Sequence, residues 1–195
     1  SKYISYLDKE NDDEGIRQVW SLSPAGGKPR QITYSERNIS QYGWSPDGTH
    51  LYYITYEPPS REEVAYKEKW GEVISPEEKK WSRRGILWVK ELSKKSAVKL
   101  TDGNYMPSSP RWSPDGRSIA FLSSGEDGQV LELYMVNIEG DEKPKLVTNT
   151  GIGIRYFSWS PDGENIACIV AKQNIPEYIN YFRPDPPLAP AHIYI

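Results

Sequence analysis

Few residues in this 195-residue chain have the type and spacing to do chemistry. Cys168 is its single cysteine, which excludes an intrachain disulfide. A thiol becomes a nucleophile where a base or positive charge lowers its pKa. Cys168 lies nine residues after Trp159, as Phe121 does after Trp112 and Tyr53 after Trp44. That shared spacing places it in a core strand, as an inert buried thiol. His50 follows a turn and His192 opens a strand, so the two histidines form no metal-ligand cluster. Gly151-Ile152-Gly153 lacks the third glycine of a dinucleotide-binding fingerprint and reads as a loop. The acidic stretch 8–15 has no glycine at the sixth position and no glutamate at the twelfth of a calcium loop, so a solvated hairpin loop is expected. No Gly-x-Ser-x-Gly elbow and no His-Gly-Gly stretch occurs. No catalytic residue, metal ligand or cofactor is therefore expected in this chain.

Composition narrows the partners. A net charge of −3 gives no electrostatic case for nucleic acid or an anionic membrane. No apolar stretch approaches the ~20 residues that span a bilayer. Aromatic residues at 12%, with 16 prolines and 15 glycines, favour a β-rich protein with many turns. The amino terminus shows no signal-peptide pattern and no initiator methionine, so a trimmed part of a longer polypeptide is expected, in the cytoplasm.

Three copies of one pentapeptide position everything else: Trp44-Ser45-Pro46-Asp47-Gly48, Trp112-Ser113-Pro114-Asp115-Gly116 and Trp159-Ser160-Pro161-Asp162-Gly163. Apolar runs follow at 51–55, 119–123 and 166–170. The motif reads as a strand end, a tight turn and a strand start. Proline presets φ at the second turn position, aspartate bonds its own backbone, and glycine takes the positive φ that follows. The tryptophan adds a large apolar face, with an indole N–H that needs a partner if buried.

The repeat extends beyond the motif. Thr33 to Trp44, Thr101 to Trp112 and Thr148 to Trp159 are each eleven residues apart. Trp20 to Thr33 and Trp88 to Thr101 are thirteen apart, and Tyr134 to Thr148 is fourteen. Each unit reads as four strands, the last ending in threonine, at a period near 47. That pattern predicts an all-β chain, a partial β-propeller of four-stranded antiparallel blades. The expected division is a partial blade over 1–33, a blade over 34–101 with an insertion at 57–84, a blade over 102–148, and a partial blade over 149–195 with an insertion at 171–191. Ser60-Arg61-Glu62-Glu63 and Ser75-Pro76-Glu77-Glu78 fit helix capping boxes, so the first insertion is expected to be helical. Unpaired edges on the two partial blades are expected to favour self-association.

The triple Trp-Ser-Pro-Asp-Gly, with Pro29-Arg30-Gln31-Ile32-Thr33 and Ala97-Val98-Lys99-Leu100-Thr101 ahead of the next blade, resembles the propeller repeats of prolyl-oligopeptidase-family serine peptidases. The acylaminoacyl-peptidase branch looks closest, because long charged insertions precede 84–89 and 192–195. The compact repeats of periplasmic TolB are similar too. The peptidase resemblance implies a gating domain that admits short peptides to a separate α/β-hydrolase domain of the same parent protein. The alternative is a TolB-like or WD40-like propeller that acts as a protein-binding scaffold. Dipeptidyl peptidases of the family hold the substrate's amino terminus with an acidic pair, and Glu62-Glu63 is similar in type. That family pair precedes a Trp-Ser-Pro-type turn, whereas Glu62-Glu63 follows one, and a solvated first helical turn is the better reading. Arg83 and Arg84, with Tyr66, Trp70 and Trp81, are candidates to contact substrate or a partner domain, or to pack the insertion onto its own blade.

Overall fold

A computed structural model describes residues 3–9, 15–58, 61–70, 84–125, 130–140, 142–170 and 192–194. The chain divides into two compact units, residues 1–44 with 48–105 and residues 45–47 with 106–195.

In the first unit, β1 (Ile4–Lys9), β2 (Arg17–Leu22) and β3 (Arg30–Gln31) form one antiparallel sheet in that order. A second sheet runs β4 (Ile39–Trp44), β5 (His50–Tyr56), β6 (Gly85–Glu91) and β7 (Val98–Lys99). Helix α1 (Arg61–Trp70) lies between β5 and β6 in the chain and starts directly after Ser60, where the first capping box predicts it. The second expected helix start, at Ser75, lies outside the described residues.

The second unit repeats the plan. Strands β8 (Ser108–Trp112), β9 (Ser118–Ser123), β10 (Glu132–Asn137) and β11 (Lys145–Leu146) make a four-stranded sheet. Strands β12 (Ile154–Trp159), β13 (Ile166–Val170) and β14 (His192–Tyr194) make a three-stranded one. The insertion expected at 171–191 lies outside the described residues. Among the described residues the architecture is thus two four-stranded blades and two three-stranded sheets, as the repeat predicts.

The second strands carry the core. In β9, Ile119, Ala120 and Phe121 are fully buried, and in β5 so is Leu51, because an interior strand buries apolar side chains on both faces. Val19, Ile39, Leu51 and Tyr53 form one buried cluster in the first unit. Ala120, Leu122, Leu133, Ile154, Phe157, Cys168 and Val170 form another in the second. Tyr53 stacks on Trp88 at 6.2 Å and Phe121 on Tyr134 at 6.0 Å, one aromatic pair per complete blade.

Each turn is locked by its own side chains. The Ser113 hydroxyl donates to Asp115 Oδ1 at 2.5 Å, and that oxygen also accepts the Arg117 N–H at 3.0 Å. The Gly116 N–H closes on the Ser113 carbonyl at 2.9 Å, with Gly116 at φ +71°. The same bonds recur at Ser160, Asp162 and Gly163, and Ser45 donates to Asp47 at 2.6 Å. A further repeated device ends three of the four sheets. The last strands β3, β7 and β11 are only two residues long, so the next N–H of the strand before each has no strand carbonyl to meet. Threonine supplies the acceptor. Thr33 Oγ1 takes the Val19 N–H, Thr101 Oγ1 that of Leu87, and Thr148 Oγ1 that of Leu133, each at 2.9 Å.

Thr101 is 2% exposed, so Thr101→Val should leave the Leu87 N–H without an acceptor. We expect a loss of about 1–3 kcal/mol, whereas Thr101→Ser should stay within about 1 kcal/mol of the parent. Urea unfolding checks this, with the midpoint for Val falling at unchanged slope. A Val variant as stable as the parent would show that the hydroxyl does not matter.

Candidate functional site

The hairpin turns of the second unit frame a groove of about 540 Å³. Ser113, Asp115, Trp159, Asp162 and Glu164 line it, with Met135 among its apolar walls. The serine–aspartate bonds, with the backbone N–H groups of Arg117 and Glu164, hold Asp115 and Asp162 below the usual carboxylate range. Both hydroxyls are engaged in shaping the turns, each donating to the aspartate two residues on. Trp44 Nε1 donates to Ser5 Oγ at 2.9 Å in the first unit, while Trp159 Nε1 is buried with no protein acceptor.

A second polar centre sits inside the same unit. Glu132, 6% exposed, opens β10. Its Oε2 accepts from Thr148 Oγ1 at 2.7 Å. Its Oε1 accepts from the Thr150 N–H and hydroxyl at 2.8 Å each, and from the Gly151 N–H at 2.9 Å. Burial by itself would raise the Glu132 pKa, but these hydrogen bonds together outweigh it and leave the carboxyl below its ordinary value. Gln18 holds the same place in the first sheet. Its Oε1 accepts from Thr33 Oγ1 at 2.8 Å and the Ser35 N–H at 2.9 Å, and its Nε2 donates to the Ser35 carbonyl at 2.7 Å. The two clamps fasten the loops that leave β3 and β11, whereas Ile86 holds the matching place in β6. The signal in the sequence was a polar residue just before the first apolar residue of a third strand, and it was missed.

Cys168 is buried in β13, opposite Phe157 and Tyr194. Burial first, and the charge of Glu132 second, push its thiol up, away from thiolate chemistry. Among the described residues no three His, Cys, Asp or Glu side chains converge to hold a metal ion. His50 Nδ1 pairs with the Thr49 hydroxyl at 2.7 Å. Gly151 and Gly153 take φ +68° and +86° in the loop that Glu132 fastens.

Glu62 is exposed in the first turn of α1. Glu63 belongs to the same helix. Arg84 is exposed, and its carbonyl accepts the Glu57 N–H at 3.0 Å where the insertion rejoins β6. Arg83 lies outside the described residues.

Known proteins share this architecture. No family model matches the chain. An uncharacterised peptidase of Bacillus subtilis, YuxL, is 34% identical over 134 residues, which are 69% of this chain and 17% of that protein. Dipeptidyl-peptidase 5 of Porphyromonas gingivalis is 27% identical over 144 residues, 70% of this chain and 19% of that one. The chain thus spans less than a fifth of either relative. Among solved structures, the putative TolB of Agrobacterium tumefaciens superposes with a TM-score of 0.57 at 22% identity, over 88% of this chain and 52% of that one. The tricorn protease gives 0.61 at 12% identity, over 90% and 15%. The β-propeller domain of the trilobed protease from Pyrococcus furiosus gives 0.53 at 18% identity, over 91% and 48%. The chain is a β-propeller segment. Its structural neighbours are TolB-like propellers and peptidase propellers, and its sequence relatives include peptidases.

Acid should weaken this propeller segment through Asp115, Asp162 and Glu132. A carboxylate with a depressed folded pKa stabilises the fold above its unfolded value of about 4, and that contribution is lost as pH falls through the folded value. Glu132→Gln keeps an acceptor, as Gln18 does, but cannot titrate. We expect its stability deficit at pH 7 to shrink between about pH 5 and pH 2 in urea unfolding. A deficit that stays constant or grows on acidification would contradict the assignment.

Proposed function

We propose that this segment is the non-catalytic propeller part of a prolyl-oligopeptidase-type serine peptidase. In that role it restricts access to an active site on a separate α/β-hydrolase domain and admits short peptides by size. The observation that carries the reading is the YuxL match, in which the likeness falls on 17% of a much longer peptidase. The side-chain chemistry supports a passive role, since serine hydroxyls close turns and the cysteine thiol is buried. Glu62 and Glu63 are suited to a peptide's amino terminus, and Arg83 and Arg84 to its carboxylates or to the hydrolase domain. The likeness to a putative TolB favours a second reading, a scaffold that binds protein and has no hydrolase attached.

A serine-directed fluorophosphonate separates the two. The isolated 195-residue chain should remain unlabelled and should not cleave aminoacyl chromogenic substrates. The parent polypeptide should be labelled at a serine outside residues 1–195, and should cleave short peptides in preference to long unfolded chains. Labelling within the chain would overturn the non-catalytic role. An unlabelled, inactive parent would leave the scaffold reading standing in its place.

A further inference from the structure

The groove of the second unit gathers like charges. Its two turns are in contact, since a Cβ built at Gly163 would meet the Pro114 ring at 3.4 Å. That contact sets Asp115 and Asp162 on neighbouring turns, and Glu164 follows directly. Among the described residues every charged side chain lining the groove is acidic, and no ion pair engages any of the three. Arg117 offsets Asp115 from outside the lining. Serine hydroxyls and backbone N–H groups keep both aspartates ionised. A cleft lined by one sign of charge concentrates ions of the other sign. Beside the carboxylates lie Met135 and Val147, and Val147 is 44% exposed. The guest that fits has a positive end and an apolar stem.

Trp159 supplies an independent observation. In the first unit Trp44 donates its indole N–H to Ser5. Ser5 precedes Tyr6, which faces Trp20, as Phe121 faces Tyr134. The counterpart of Ser5 beside Trp159 is therefore Ala120, in the cluster on which Trp159 packs, and it has no oxygen to offer. The Trp159 N–H is left buried at the groove wall without a protein acceptor. An unmet donor is costly, and an acceptor brought by a guest relieves that cost.

We propose that this groove binds an arginine side chain presented by an extended segment of another polypeptide. The guanidinium spans Asp162 and Glu164, and Asp115 adds to the attraction. The methylene stem lies along Met135 and Val147. A small rotation of the Trp159 ring brings its N–H to a main-chain carbonyl of the guest. Arginine suits the groove better than lysine, because a planar fork of donors can bridge two carboxylates. The inference goes beyond the proposed function, since neither reading assigns this groove, and it holds under both.

Fluorescence anisotropy of a fluorescein-labelled Gly-Leu-Arg-Leu-Gly peptide, titrated with the full chain, tests it. We expect saturable binding. Citrulline in place of the arginine keeps the shape and removes the charge, and should weaken binding about ten-fold. Glu164→Lys in the chain should weaken it about five-fold or more. Its thermal midpoint should not fall, because the Glu164 carboxylate makes no bond to the fold among the described residues. Glu36→Lys, the same change of charge in the first unit, should leave binding unaltered. A citrulline or lysine peptide that binds as tightly would overturn the proposal. So would a Glu164→Lys chain that binds no more weakly than the Glu36→Lys chain, or the absence of saturable binding.

Discussion

Each blade depends on what happens to one backbone N–H. A fourth strand of two residues keeps the sheet edge short, which limits edge-to-edge pairing. It also strands the next N–H of the third strand in a place largely closed to water. An unpaired buried donor costs about 1–3 kcal/mol, a large fraction of a domain's net stability. The threonine hydroxyl resolves this at Val19, Leu87 and Leu133, and it also sets where the chain leaves the sheet. Gln18 and Glu132 then fix the departing loop by bonding that same threonine and the backbone beyond it. The path into the following first strand is thereby set by a hydroxyl.

The pentapeptide does the complementary work at the other end of the first strand. Serine and aspartate lock the turn, glycine allows its positive φ, and tryptophan covers the strand that returns. Because the serine–aspartate bond recurs in three turns, its groups are committed to structure. The consequence for function is direct. Hydroxyls and carboxylates that look reactive in isolation are consumed in holding the fold, and the buried thiol of Cys168 is driven away from its reactive form.

Much of the architecture was legible because it is local. Proline, aspartate and glycine at fixed offsets specify a turn without reference to anything distant, and the helix start after Ser60 is equally local. The spacing of Thr33, Thr101 and Thr148 was visible, but the bond each one makes spans fourteen or fifteen residues and appears only once strands are paired. Glu132 was illegible for a related reason. A carboxylate in sequence reads as solvent-facing, and only the assembled loop shows the donors that satisfy it. The substrate-contact candidates rested on a resemblance in residue type, which fixes no geometry.

Residue-resolved amide hydrogen exchange tests the central claim most directly, that threonine hydroxyls complete the blades. The amides of Val19, Leu87 and Leu133 should exchange as slowly as strand amides bonded to backbone carbonyls in the interior of β5 and β9. Exchange at these three positions as fast as in the exposed turns would show that the hydroxyl bonds are not formed in solution, and the account of how each blade ends would fail.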